Sequence, residues 1–139
     1  MLHLSKEQEY WLYGEETDMR KGFDSLCGIV KDQMQANVLS GSIFIFINKR
    51  RNQIKLLYWE GDGLSMYYKR LEKGTYEIPE KGTTNKSIQM RQDQLQFILS
   101  GIQLKSIKRR KRYRIAGNIY DEKSLYNNSN ARSELSSVI

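Results

Sequence analysis

Hydrophobic positions concentrate in residues 42–71, interrupted twice by turn chemistry. Ile43, Phe44, Ile45, Phe46 and Ile47 are consecutive β-branched or aromatic residues. Successive strand side chains point to opposite faces, so an unbroken apolar run predicts a strand covered on both sides. The next stretch is mixed, with Ile54, Leu56 and Tyr58 on one face and Lys55, Leu57 and Trp59 on the other. Polar residues at 49–52 and the Gly61-Asp62-Gly63 triplet carry turn chemistry at hairpin spacing, which predicts a three-stranded meander.

Before this stretch, Tyr10-Trp11-Leu12-Tyr13 is strand-like and Gly14 ends it. Thr17 and Asp18 are good N-caps for a helix predicted over 19–34. Phe23, Leu26, Cys27, Val30 and Met34 recur on one face of that helix, as a core stripe does. Gly22 and Gly28 weaken it, and close packing on the sheet is the expected reason for them. A loop is expected at 35–41 and a turn at Glu72-Lys73-Gly74, then a short strand at 75–78 ended by Pro79. The polar stretch 80–86 reads as an exposed loop. Residues 87–101 contain a second helix with Leu95, Ile98, Leu99 and Ile102 as its apolar face and Gly101 as its stop. Helices flanking a block of strands predict an α+β fold. The expected form is a mostly antiparallel sheet of four to five strands with two packed helices over residues 1–104. Residues 105–139 form a basic, then Asn- and Ser-rich tail, too poor in large apolar residues to offset the entropy of full ordering.

At 139 residues and 39% hydrophobic content the chain supports one core. No apolar run approaches the length of a membrane span, and the first residues lack a signal peptide's pattern. Cys27 has no second cysteine to pair with, so a buried thiol and a cytoplasmic setting are expected. Charge separates the chain into two parts. Lys105, Lys108, Arg109, Arg110, Lys111, Arg112 and Arg114 lie within ten residues that contain no acid. Taking these seven from the 23 bases leaves 16, equal to the 16 acids, so the rest is balanced. A run of this kind is either a solvated tail or a contact for a polyanion such as nucleic acid.

The residues that carry catalysis are scarce. His3 is the only histidine, no Cys/His set suits zinc, and no Gly-rich loop follows a strand to hold a nucleotide phosphate. Asp18, Asp24, Glu60 and Asp62 would have to converge for a metal-dependent nuclease, a combination that any chain with 16 acids offers. No catalytic residue, metal or cofactor is therefore expected. Bases and aromatics interleave instead. Lys49, Arg50 and Arg51 sit on the first turn, Lys55 on the next strand, and Lys69, Arg70 and Lys73 near the end of the third. An antiparallel meander brings the last group toward the first. Tyr58, Trp59, Tyr67 and Tyr68 share that sheet, either as core or as surfaces on which an unpaired base stacks. The bland reading of the bases is that they keep a sheet edge soluble.

Three separated blocks carry a resemblance. The first is Asp18-Met19-Arg20-Lys21-Gly22-Phe23-Asp24-Ser25-Leu26. The second is Ser40-Gly41-Ser42-Ile43-Phe44-Ile45-Phe46, followed by Arg50-Arg51, Ile54-Lys55, Leu57 and Trp59. The third is Gly63-Leu64 with Lys69-Arg70-Leu71-Glu72-Lys73-Gly74-Thr75-Tyr76, and Gln94-Leu95 and Leu99-Ser100-Gly101-Ile102 add to it. In this order they resemble TnpB, the accessory proteins encoded by the second open reading frame of insertion sequence 66 elements. These are unrelated to the RNA-guided nucleases of the same name. The resemblance covers about residues 10–104, with Glu60 where the family pattern has Asp after the tryptophan. It implies a role in transposition beside a transposase of the Asp-Asp-Glu type and a second small accessory protein. It implies no catalytic residues.

The expected function is thus a non-catalytic accessory protein for transposition that contacts DNA, the transposase, or both. The DNA-contacting candidates are Lys49, Arg50, Arg51, Lys55, Lys69 and Arg70, with the seven bases of the 105–114 arm. Asp18, Met19, Arg20, Lys21, Gly22 and Trp59 are the family-motif positions. Arg20 and Lys21 at a helix start are further anion candidates, and Asp18 with Arg20 is alternatively a structural bridge between helix and sheet. A pure protein-interaction module for the transposase is the main rival, and a metal-dependent nuclease the lesser one.

Overall fold

A computed structural model describes residues 2–79 and 86–101 of the chain. The basic arm, the polar tail, Ile102 and most of the predicted 80–86 loop lie outside the described residues. Eight elements follow in order. They are β1 (Tyr10–Tyr13), α1 (Phe23–Asp32), a 3-10 turn (Val38–Ser40), β2 (Ile43–Ile47), β3 (Gln53–Trp59), β4 (Leu64–Arg70), β5 (Ser87–Met90) and α2 (Gln92–Ser100).

The sheet has the order β4-β3-β2-β1-β5, with β2 at its centre. All five residues of β2 are buried, as its unbroken apolar run requires. Ile43, Ile45 and Ile47 pack on one face with Tyr10, Leu12, Ile54, Leu56 and the α2 residues Leu95 and Ile98. Phe44 and Phe46 pack on the other with Tyr13, Leu57 and the α1 residues Leu26 and Val30. One helix therefore covers each face. Each large side chain buried this way contributes roughly 1.5–3 kcal/mol, so β2 is the energetic centre of the domain.

The α+β class and the mostly antiparallel sheet hold, with one parallel pair. β1 runs parallel to β2, Tyr10 opposite Ile43, because α1 carries the chain back to the same end of the sheet. Several boundaries differ from the sequence expectation. No strand forms at 75–78. Tyr76 donates one backbone hydrogen bond to the Arg51 carbonyl at 2.6 Å, and its ring is buried, so burial and not a ladder holds the segment. The fifth strand instead opens the stretch expected to contain the second helix: Ser87–Met90 pairs antiparallel with the open edge of β1, and the helix starts only at Gln92. That pairing is a long-range contact with only four residues of local pattern behind it.

Helix α1 begins at Phe23, four residues later than the expected Met19. Its N-cap is Gly22, in an extended conformation. Thr17 does not cap it: it lies six residues before Phe23, and its amide bonds the Ile47 carbonyl at 2.9 Å. Asp18 caps a separate turn of its own. Of the predicted core stripe, Leu26, Val30 and Met34 are buried, Cys27 is half-buried, and Phe23 is exposed. Close packing does not explain Gly22 or Gly28, since a methyl group at either position would meet nothing within 4 Å. Gly101 ends α2 as expected, at φ +82°, where a side chain would be strained.

Candidate nucleic-acid interface

The turn between β2 and β3 is built by one side chain. Asn48 Oδ1 accepts from the amides of Asn52 at 3.0 Å and Gln53 at 2.9 Å, and its Nδ2 donates to Asn52 Oδ1 at 2.8 Å. The Arg51 amide closes the turn on the Asn48 carbonyl at 3.0 Å, and Arg51 takes φ +59°. Asn48 thus ties both ends of the turn together. Lys49, Arg50 and Arg51 are left exposed.

The β3–β4 register sets the second group of bases beside the first. Arg70 is opposite Gln53 and Lys69 is opposite Ile54, so both lie at the end of the sheet from which the turn projects. The chain after β4 is fastened to the same turn, Leu71 N–H to the Asn52 carbonyl at 2.8 Å and Tyr76 N–H to that of Arg51. Lys69, Arg70 and Lys73 are exposed, and Arg70 makes a 3.5 Å ion pair with Glu72. Both partners are in water, so the pair holds Arg70 only weakly. The structure thus brings together five of the predicted bases: Lys49, Arg50, Arg51, Lys69 and Arg70.

Lys55 is a different case. It is 6% exposed, and its Nζ donates to the carbonyls of Met19 and Lys21, each at 2.8 Å. The same ammonium lies 4.5 Å from the centroid of the Tyr68 ring. Burial pushes its pKa down, and the nearby Asp18 charge partly opposes that. Its charge is turned to the backbone and to an aromatic face. The signal in the sequence is a lysine set between Ile54 and Leu56 in a buried strand, where an ammonium needs fixed acceptors.

Those acceptors belong to the first motif block. Asp18 Oδ1 accepts from the Arg20 amide at 2.9 Å, and the Asp18 carbonyl accepts from Lys21 N–H at 3.1 Å. The Arg20 guanidinium grips the same carboxylate with Nε at 3.0 Å and Nη2 at 2.6 Å. Arg20 holds the Asp18 carboxyl well below the usual carboxylate range. The pair lies within one turn, and the link from that turn to the sheet is Lys55. Met19 packs on the α1 side of the core, while Trp59 is half-buried opposite Leu64 at the far end of β3. The arm bases Lys105, Lys108, Arg109, Arg110, Lys111, Arg112 and Arg114 lie outside the described residues.

Among the described residues, no group of three or more His, Cys, Asp or Glu side chains could hold a metal ion. Cys27 is a thiol whose pKa is raised by burial and by Asp24. A cleft of about 290 Å³ between the starts of β1 and β2 and the loop after α1 has no basic residue in its lining. No helix among the described residues is long and apolar enough to cross a membrane.

Fold and site together define a small α+β domain that presents cations from the turns at one end of its sheet. Comparison with known proteins places it: the family described as IS66 Orf2 like protein matches residues 8–109, and the chain belongs to that family. It is an insertion-sequence protein associated with transposition. The chain is also similar to uncharacterized protein y4hO of Sinorhizobium fredii (strain NBRC 101917 / NGR234), 31% identical over 102 residues, or 73% of this chain and 87% of that protein. Uncharacterized protein y4jC of the same strain is 26% identical over 96 residues, 69% of this chain and 80% of the relative. No solved structure matches the chain.

Proposed function

We propose that the protein is a non-catalytic accessory protein for transposition that holds DNA by its phosphates. The described contribution comes from Lys49, Arg50, Arg51, Lys69 and Arg70, and the 105–114 arm adds seven further bases from sequence. The observation that carries this reading is the shared corner: two base-bearing segments fastened by the Leu71–Asn52 and Tyr76–Arg51 backbone bonds. Cations held by a rigid scaffold lose little entropy on meeting a polyanion, and counterion release supplies the affinity. Lys55 has no part in this surface. A cytoplasmic setting, where element DNA and transposase meet, goes with the proposal.

A second reading has its own observation. Among the described residues β4 has a neighbouring strand on one side only, and such an edge is where an extended segment of another chain adds as a strand. The transposase or the second accessory protein of the element would be that partner.

Titration of the full chain with element-end duplex and scrambled duplex across a salt series separates the two. Under the proposal, log affinity falls with log salt at a slope of about −0.9 for each phosphate neutralised. Absence of binding at low salt would remove the DNA reading, and co-purification with the transposase would then carry the second.

A further inference from the structure

Tyr68 is linked through its neighbours Lys55 and Gln53 to both cation-bearing turns. It is 52% exposed, although it lies in a strand of the sheet. Lys55 ties it to the 18–21 turn, because one ammonium reaches both the Tyr68 ring and the carbonyls of Met19 and Lys21. The Tyr68 hydroxyl also donates to Gln53 Oε1, and Gln53 is registered with Arg70. Arg70 follows Tyr68 by two residues and so shares its face of the sheet. Gln53 comes directly after the turn that carries Lys49, Arg50 and Arg51. Arg70 therefore lies between Tyr68 and the 49–51 turn, while the backbone of Lys21, whose side chain is exposed, meets the same ammonium as the ring. Arg20, its charge matched by Asp18, sits beside Lys21.

An exposed aromatic with cations nearby is the arrangement by which single strands are held, nucleobases on rings and phosphates on cations. Here the ring is prepared for it. The Lys55 ammonium occupies the inner face, and the hydroxyl bond to Gln53 fixes the ring's orientation. An intact duplex shows a protein only base edges and backbone, so a ring face finds no partner there.

We infer that the outer face of Tyr68 is a stacking platform for an unpaired nucleobase, its flanking phosphates meeting Arg70 on the same strand face and Lys21 of the turn that Lys55 ties to the ring. The inference rests on the proposed DNA contact and adds the form of DNA recognised: a single or frayed strand.

The test compares three probes on the full chain: a labelled 12-nucleotide oligothymidine, an abasic strand with the same number of phosphates, and a 12-base-pair duplex. Stacking predicts that oligothymidine binds roughly 5-fold or more tighter than the abasic strand. Tyr68→Ala and Tyr68→Leu should erase that difference, and Tyr68→Phe should keep it. Equal binding of ordinary and abasic strands by the unaltered protein would overturn the platform and leave the phosphate reading standing. So would a difference that survives both Tyr68→Ala and Tyr68→Leu. Failure of all three probes to bind at low salt would remove both.

Discussion

The turn at 49–52 is held by Asn48, which lies five residues or fewer from everything its side chain binds. The turn at 18–21 is held to the sheet by Lys55, which is 36 and 34 residues from the carbonyls it binds. Both turns carry cations of the family motif, and both leave some of them exposed. The difference lies in where the supporting group is placed. In the first the support is local and neutral, so all three cations face outward. In the second a buried cation is the support, and its charge serves the fold. The backbone environment decides which basic residues are exposed, and residue type alone does not distinguish buried Lys55 from the others.

Lys55→Met separates the two turns most sharply. It leaves two carbonyls without their donor and should cost about 3 kcal/mol in urea unfolding, since hydrogen bonds to charged groups contribute about 1.5–3 kcal/mol each. The salt dependence of DNA binding by the folded variant should not change. A stable variant with a flatter salt slope would place Lys55 on the binding surface after all.

Asn48→Ala is the matching change in the other turn. It removes three side-chain hydrogen bonds near the surface and should cost about 1–2 kcal/mol. Unlike Lys55→Met it should also weaken DNA binding, because the exposed cations lose their fixed positions. An Asn48→Ala protein with unaltered affinity would show that the turn's rigidity is irrelevant to binding.

The smallest effect is acid dependence at the 18–21 turn. The folded pKa of Asp18 is lowered from 3.8 by the Arg20 hydrogen bonds. Its contribution is therefore full above the unfolded value and is lost as pH falls through the lower folded one. Lowering pH from about 6 to about 3 should reduce the urea midpoint slightly more in the natural protein than in Asp18→Asn. The ion pair is solvent-exposed, so added salt should shrink that difference. An equal acid response in the two proteins would show that the pair contributes nothing to folding.

Much of this arrangement was legible in the chain. The apolar run of β2, the two turns and the alternation of β3 fixed three strands and their order, and the meander brought Arg70 toward Arg51. The family blocks coincide with the elements that build the two turns. What was not legible depends on partners distant in sequence. Ser87–Met90 becomes a strand because β1 offers it an open edge, and β1 turns parallel because α1 intervenes. Thr17 and Asp18 have the chemistry of good caps, but the Asp18 bonds to Arg20 and Lys21 close a separate turn first, so α1 starts later. The burial of Lys55 is not legible either, because its acceptors are carbonyls, which a sequence does not display.

The central claim is that the corner around the 49–51 turn neutralises phosphates, and one variant tests it directly. The full chain carrying Lys49→Ser, Arg50→Ser and Arg51→Gly is titrated with a DNA strand over a salt series, beside the unaltered protein. If each base meets one phosphate, the slope of log affinity against log salt should flatten by about 2.1 on a single strand. The unfolding midpoint should stay or rise slightly, since glycine relieves the positive φ at position 51. An unchanged slope in a folded variant would contradict the account and leave the arm, or a protein partner, as the site of action.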